Sequence, residues 1–450
     1  MIPKTWHEAR LIPTSGIGSA QEQERRATSA LLAVLGAVGD FGRAILKSCG
    51  APAGKIETYI EVPFELDKRQ VRPDGLIRVS RGKRQWTALV EVKTGKNDLA
   101  VEQVEAYLDV AKEQKFDAVI TISNEIPPVL GAHPLQLDKR KLKTVDVFHF
   151  SWVRIMSMAV MEKEVHGIDD PEQAWILGEL IRYLEHENSG ALDFSDMGAS
   201  WIRVRDAARK GVIRKGDPEV EEIAVRFDAL IRFACLRLGQ RLGTEVLPQL
   251  PRRHIQNPSE RTAELVEHLN RDSCLAARIR IPDTVADIEI SCDLRGQQIH
   301  VSATVPASGH ARSDTRVRWL LRQLGEDQAD LVIEAIYRGR GVAADINEIR
   351  ADEKVIIPDA SKEITRFRVT KIYPMGVARS TRSSSSFISS VTSSVDHFYA
   401  EILQKLKPWT PPAPRFRDKP AERIAGDELA SADLSSVDEP EPVSLGEPRD

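Results

Sequence analysis

A chain of 450 residues, 42% hydrophobic and 29% charged, is long enough for two or three domains, each with its own core. The longest apolar run, residues 30–38, falls far short of the roughly 20 residues that cross a bilayer, and the first residues show no apolar block and no small-residue cleavage pattern. Neither a membrane span nor a secretory leader is expected, and a cytoplasmic protein is. The formal charge of -4 hides an asymmetry, because residues 421–450 carry nine acidic and two basic side chains and leave +3 on the rest, a balance compatible with phosphate contacts that does not demand them.

After a leader ending near residue 18, Leu31, Leu32, Leu35, Val38 and Phe41 recur at helical spacing and predict a helix over 21–46, weakened in its second half by Gly36, Gly39 and Gly42. Residues 56–64 alternate as a strand does, and 75–81 and 86–93 give two more strands around the turn Arg81-Gly82-Lys83-Arg84. A helix over 98–114 with Asp98 as its cap comes next, then strands at 117–122 and 145–150 and a closing helix at 151–165. This order describes an α/β domain over 16–165, a mixed central sheet flanked by helices. Over 166–272 the strand signal fades and helical spacing holds at 174–184, 218–242 and 259–269, a helical region. Over 273–378 a small α+β domain is expected, with strands at 286–294, 298–305, 331–337 and 365–372 and a basic helix at 314–324. A Ser-rich linker and an amphipathic helix fill 379–407, and the Pro-rich, acidic stretch 408–450 is expected to be disordered. Cys49, Cys235, Cys274 and Cys292 show no C-x-x-C spacing and are expected as buried thiols.

Two short segments carry the chemistry. Hydrolysing a phosphodiester calls for a metal that neutralises the phosphate and acidifies a bound water, and Mg²⁺ keeps several waters, so one or two carboxylates suffice from the protein. Asp74, in Arg72-Pro73-Asp74-Gly75, starts one strand and Glu91 lies near the end of the next; antiparallel pairing brings both within reach of one ion. The backbone carbonyl of Val92 offers a third oxygen. Lys93 shares the face of Glu91, because strand side chains alternate with period two, and there it orients the water or stabilises developing charge.

Pro73-Asp74 followed by Glu91-Val92-Lys93 resembles the PD-(D/E)xK nuclease superfamily. Thr94-Gly95, with Gln103 and Tyr107 one turn apart on the next helix, is similar to the acidic-x-Lys-Thr-Gly and Q-x-x-x-Y stretches of the RecB-like branch. The likeness covers about residues 21–165 and implies a restriction-endonuclease-like fold, with Mg²⁺ or Mn²⁺ on Asp74, Glu91 and Val92 and with Lys93 as catalytic base or stabiliser. It also implies that Gln103 and Tyr107 support the metal site and touch the DNA backbone, and that a Glu on the first helix joins them. Glu24, seven residues before Leu31 and eleven before Leu35, lies on the inward stripe and is preferred to Glu22 as that catalytic residue. The four-cysteine iron–sulfur cluster of some RecB-like members has no counterpart here.

Alone, Pro-Asp-Gly is usually a turn and Glu-x-Lys a solvated strand face; their order, their short gap and the helix that follows lift the combination above either. Residues 50–55 lack the spacing of a P-loop. Arg312, Arg316, Arg318 and Arg322 could line a nucleic-acid-facing helix, against the simpler reading of exposed arginines opposite an apolar stripe. His149, His186, His254 and His310 lack partners at ligand spacing and are expected to be structural or exposed. The expected function is a divalent-metal-dependent nuclease acting on DNA rather than RNA, with a homodimer or a protein partner at the C-terminal region compatible with it. The alternative is a regulatory protein of stress response or phage defence that binds nucleic acid or a nucleotide through a nuclease-like fold and does not cut it.

Overall fold

Helix α1 (Ala20–Ala37) begins where the Ser19 hydroxyl accepts the Glu22 N–H at 3.1 Å, an N-cap that satisfies one of the free amides of the first turn. It ends at Val38, whose extended backbone (φ -104°, ψ 92°) swings the chain by 104° into α2 (Gly39–Lys47). The single helix expected over 21–46 is therefore two. Gly42 permits the bend, since a Cβ there would stand 2.3 Å from the Leu35 carbonyl oxygen and 2.7 Å from Ile56 Cδ1. The computed structural model describes residues 11–14, 18–66, 69–127, 129, 131–214, 216–359 and 361–411. Gly16 and Ile17 of the expected leader, and 412–450 of the stretch expected to be disordered, lie outside them.

Strand β1 (Lys55–Ile60) stops short of residue 64 because Glu61 takes a positive φ of 51° and Pro63 follows. A small hairpin, β2 (Phe64–Leu66) and β3 (Arg69–Val71), leads into β4 (Gly75–Arg81) and β5 (Arg84–Val92). Helix α3 (Val101–Gln114), β6 (Ala118–Ser123), β7 (Asp146–Ser151) and α4 (Trp152–Val160) follow; α3 starts after Ala100, so Asp98 is not its cap. A π-helical turn (Met161–His166) extends α4 and leads to α5 (Pro171–Leu184).

The five-stranded sheet runs β1-β4-β5-β6-β7, antiparallel up to β5 and parallel from β5 to β7. Alternation sorts its two faces. Leu76, Leu89 and Val119 pack under Val104, Tyr107 and Leu108 of α3, while Val90, Val92, Ile120 and Ile122 meet α1, α2 and α4. A mixed central sheet flanked by helices is what the hydrophobic pattern specifies.

A helical middle follows: α6 (Trp201–Lys210), α7 (Pro218–Leu242), the short β8 (Leu247–Pro248), α8 (Arg252–Gln256) and α9 (Pro258–Asp272). Then come β9 (Cys274–Arg280), β10 (Ile288–Asp293), β11 (Gln298–Pro306), α10 (Ser313–Leu324), β12 (Leu331–Ile336), β13 (Gly341–Asp345), α11 (Ile346–Ala351), β14 (Arg366–Pro374) and α12 (Phe387–Glu401). They build an antiparallel sheet of seven strands in the order β13-β12-β14-β11-β10-β9-β8, a C-terminal β-rich subdomain larger than expected by β8, β9 and β13. Its inner face packs Ile279, Ile290 and Val301 against Phe227 and Leu230 of α7 and Phe387 and Val391 of α12, and each such burial contributes roughly 1.5–3 kcal/mol. The same core takes in Ile126 and Val153 from the N-terminal part. Among the described residues no single helix is long and apolar enough to cross a membrane.

Candidate functional site

The register of β4 on β5 pairs Gly75 with Val90, which sets Asp74 beside the end of β5. The Val92 N–H donates to Asp74 Oδ2 at 2.8 Å. Glu91, one residue earlier, turns its side chain to the α3 face, where it has no exposed surface. Lys93 follows on the same face, held by its own N–H to the Ile122 carbonyl (2.8 Å) and by the Trp152 indole N–H to its carbonyl (2.9 Å). The Lys93 ammonium stands 2.6 Å from Glu91 Oε1 and 3.2 Å from Glu24 Oε1, and Asn97 Nδ2 donates to Glu24 Oε2 at 3.3 Å. Asp74, the Glu91–Lys93 segment and Glu24, far apart in sequence, thus share one place, with Val92 as its backbone link.

Electrostatics follow from burial. Loss of water, reinforced by the Asp74 carboxylate, pushes the Glu91 carboxyl up to about 7, against the pull of Lys93. Burial likewise raises Asp74, opposed by the Val92 N–H. For Lys93, burial works to lower the ammonium, but Glu91 and Glu24 outweigh it and hold it above the usual lysine range. Neither Glu91 oxygen has a well-formed hydrogen bond, because the ammonium is close but out of alignment.

This arrangement corrects the expected chemistry. Among the described residues no group of three or more His, Cys, Asp or Glu side chains is placed to hold a metal ion. The physical reason lies in Lys93, which fills the space where the Glu24 and Glu91 carboxylates converge, while one oxygen of Asp74 is taken by a backbone amide. The donor set does not fit Mg²⁺ or Mn²⁺. Metal binding by Asp74, Glu91 and Val92, and with it metal-dependent nuclease activity, is overturned.

Gln103 Nε2 donates to Tyr107 Oη at 2.9 Å, and that hydroxyl reaches the Arg72 carbonyl at 3.4 Å. The pair therefore ties α3 to the loop before Asp74, with the ring of Tyr107 buried; burial and the nearby Glu91 charge keep its hydroxyl protonated. Glu61, in its positive-φ conformation, bridges Arg25 (2.9 Å) and Arg72 (3.7 Å) at the rim. Lys96, three residues after Lys93, is exposed.

Three further residues extend the polar floor. The parallel registers align Glu91 with Thr121 and Thr121 with His149, one polar row crossing three strands. The Leu135 N–H donates to His133 Nδ1 (3.1 Å), so the proton of that ring sits on Nε2, 2.9 Å from Thr121 Oγ1. The Thr121 hydroxyl then donates to His149 Nδ1 (3.0 Å), whose Nε2–H faces the Glu125 carbonyl (3.0 Å). Both rings are neutral in this network; burial, with the Glu125 carbonyl opposing, brings His149 down to about 4 and lowers His133 as well. No local motif signals the row, which exists only through cross-strand register.

The arginines at α10 have partners within the chain. Arg316 is buried and donates to the carbonyls of His310 and Ile364, Arg318 pairs with Glu353 and Asp314, and Arg312 pairs with Asp314. Arg322 Nε donates to the Arg318 carbonyl at 3.2 Å, so all four arginines bond within the chain. Compared with protein-family models, with curated proteins and with solved structures, the chain gives no match.

Proposed function

We propose that the chain is a non-cleaving, nucleic-acid-binding regulatory protein whose N-terminal sheet keeps the frame of the PD-(D/E)xK nucleases. The Lys93 ammonium between Glu91 and Glu24 carries this reading: it occupies the place where their carboxylates converge and offsets one of their negative charges, and without a metal-activated water the phosphodiester persists. Binding is supported by the exposed Lys96 and by Arg25 and Arg72, two exposed cations that share the single carboxylate of Glu61, charges of the kind that displace counterions from a phosphate backbone. DNA is preferred to RNA on the resemblance alone, and target selection or assembly is the role left to the C-terminal sheet.

The test is fluorescence anisotropy with labelled duplex and single-stranded DNA and with RNA, in EDTA and in Mg²⁺, with the products then resolved on a denaturing gel. Expected are equal binding in both buffers, intact strands, and a salt dependence whose slope becomes shallower by about 1 in Arg72→Ala and again in Lys96→Ala. Absence of binding at low salt sinks the proposal, and so does Mg²⁺-dependent cleavage that disappears in Lys93→Ala.

A further inference from the structure

Where α4, its π-helical extension and α7 meet, a cavity of about 220 Å³ holds two arginines, Arg154 and Arg232. Arg232 is 4% exposed, and its buried Nη1 has no hydrogen-bond partner. Arg154 lies over the Phe150 ring, 4.7 Å from its centroid. Among the described residues no carboxylate comes within ion-pair distance of either guanidinium. Glu245, exposed at the edge, reaches both only through its field, and Glu162 faces His166 Nδ1 at 3.0 Å. The thiols add no negative charge, since burial pushes both Cys49 and Cys235 up to about 12.

A buried guanidinium, Arg232, with the half-buried Arg154 in its field is costly unless a counter-charge joins them. Burial, and then the charge of Arg232, pulls Arg154 below its ordinary range, and burial does the same to Arg232. Ser157 and Thr244 line the same space and offer hydroxyls beside the two guanidiniums, with Glu162 and Glu245 elsewhere on its wall. Guanidinium forks match tetrahedral oxyanions in geometry as well as charge. A π-helical turn, rare in general and frequent at functional sites, forms one wall.

We propose that this cavity binds a small oxyanion of the phosphate class between the Arg154 and Arg232 guanidiniums. Its volume admits inorganic phosphate or a small phosphomonoester and falls below the roughly 300 Å³ at which drug-sized ligand sites begin. The site is separate from the Lys93 cluster and does not depend on nucleic-acid binding.

Isothermal titration of the full chain with inorganic phosphate, and in a second arm with glycerol phosphate, tests it against potassium chloride at matched ionic strength, with thermal unfolding in parallel. Expected is saturable one-site heat in the phosphate arm and a Tm that climbs with phosphate concentration. Arg232→Met abolishes both, and Arg154→Gln weakens binding by roughly tenfold or more. Should Arg232→Met fail to fold, Arg154→Gln carries the comparison. Heat in the glycerol phosphate arm as well identifies the phosphoryl group of a larger metabolite as a ligand; heat with inorganic phosphate alone identifies the free ion. Phosphate also stabilises proteins generically by exclusion from their surface, so a Tm gain shared by wild type and variants, or no saturable heat in either arm, overturns the proposal.

Discussion

Lys93 Nζ stands 2.6 Å from Oε1 of Glu91, a carboxylate with no surface of its own in solvent. Removing the ammonium strands that carboxylate, and breaking a buried pair from one side costs about 3–5 kcal/mol. Lys93→Met is expected to lose stability of that order above neutral pH, while Glu91→Gln/Lys93→Met recovers most of it. Urea midpoints of the two single variants, the double variant and the wild type close the cycle. If the double variant is as unstable as Lys93→Met, the ammonium is not compensating Glu91.

Glu91 also gives stability a pH dependence of definite sign. Its carboxyl titrates at about 7 in the folded chain and at 4.5 as a free side chain, so between those values the folded state holds more protons than the unfolded state. Stability therefore falls as pH rises through that window, by up to about 3 kcal/mol from this group. Glu91→Gln is expected to flatten the fall. Urea unfolding repeated along a pH series checks it, and parallel curves for the two proteins would clear Glu91 of the effect.

The α1–α2 bend makes two glycines respond in opposite directions. At Gly36 a Cβ meets only Thr58 Oγ1 at an ordinary 3.5 Å, so Gly36→Ala is expected to gain about 0.5–1 kcal/mol from reduced backbone freedom. At Gly42 the Leu35 carbonyl oxygen would lie 2.3 Å away, and Gly42→Ala is expected to cost about 2 kcal/mol or more. Thermal melts of both variants decide; a common sign for the two would contradict the bend.

With Lys93 filling the carboxylate cluster, thermal unfolding is expected to be indifferent to Mg²⁺, Mn²⁺ and EDTA. Scans in each condition test this. A saturable rise in Tm with Mg²⁺ that vanishes in Asp74→Ala would reveal a coordinating arrangement that the folded donor set does not present.

Periodicity made much of the fold legible. The strands of the N-terminal sheet and the long α7 follow directly from the spacing of their apolar residues, and the convergence of Asp74, Glu91 and Lys93 on one face needs only strand alternation. What stayed hidden is non-local. β9, with Cys274-Leu275-Ala276-Ala277 at its start, and β13, with Ala343-Ala344, have little intrinsic strand preference and form because neighbouring strands accept their hydrogen bonds. The Glu91–Thr121–His149 row depends on the register of three parallel strands, the first two separated by α3 and the last two by a long loop. The place of the Lys93 head group is likewise set by Glu24 on a distant helix, so the same letters that promised a metal site fold into one occupied by a lysine.

Helix α7 carries a consequence for how this chain can be inherited or engineered. Its apolar surface is shared between Val153 and Ile126 on one side and the C-terminal sheet on the other. Residues 18–165 are therefore not a portable cassette: grafted elsewhere they would bring an unhealed greasy seam, and the remainder would bring its complement. Recombination, duplication or truncation near Gly167 should yield sticky, short-lived products, so the two parts are expected to travel through evolution as a single heritable piece.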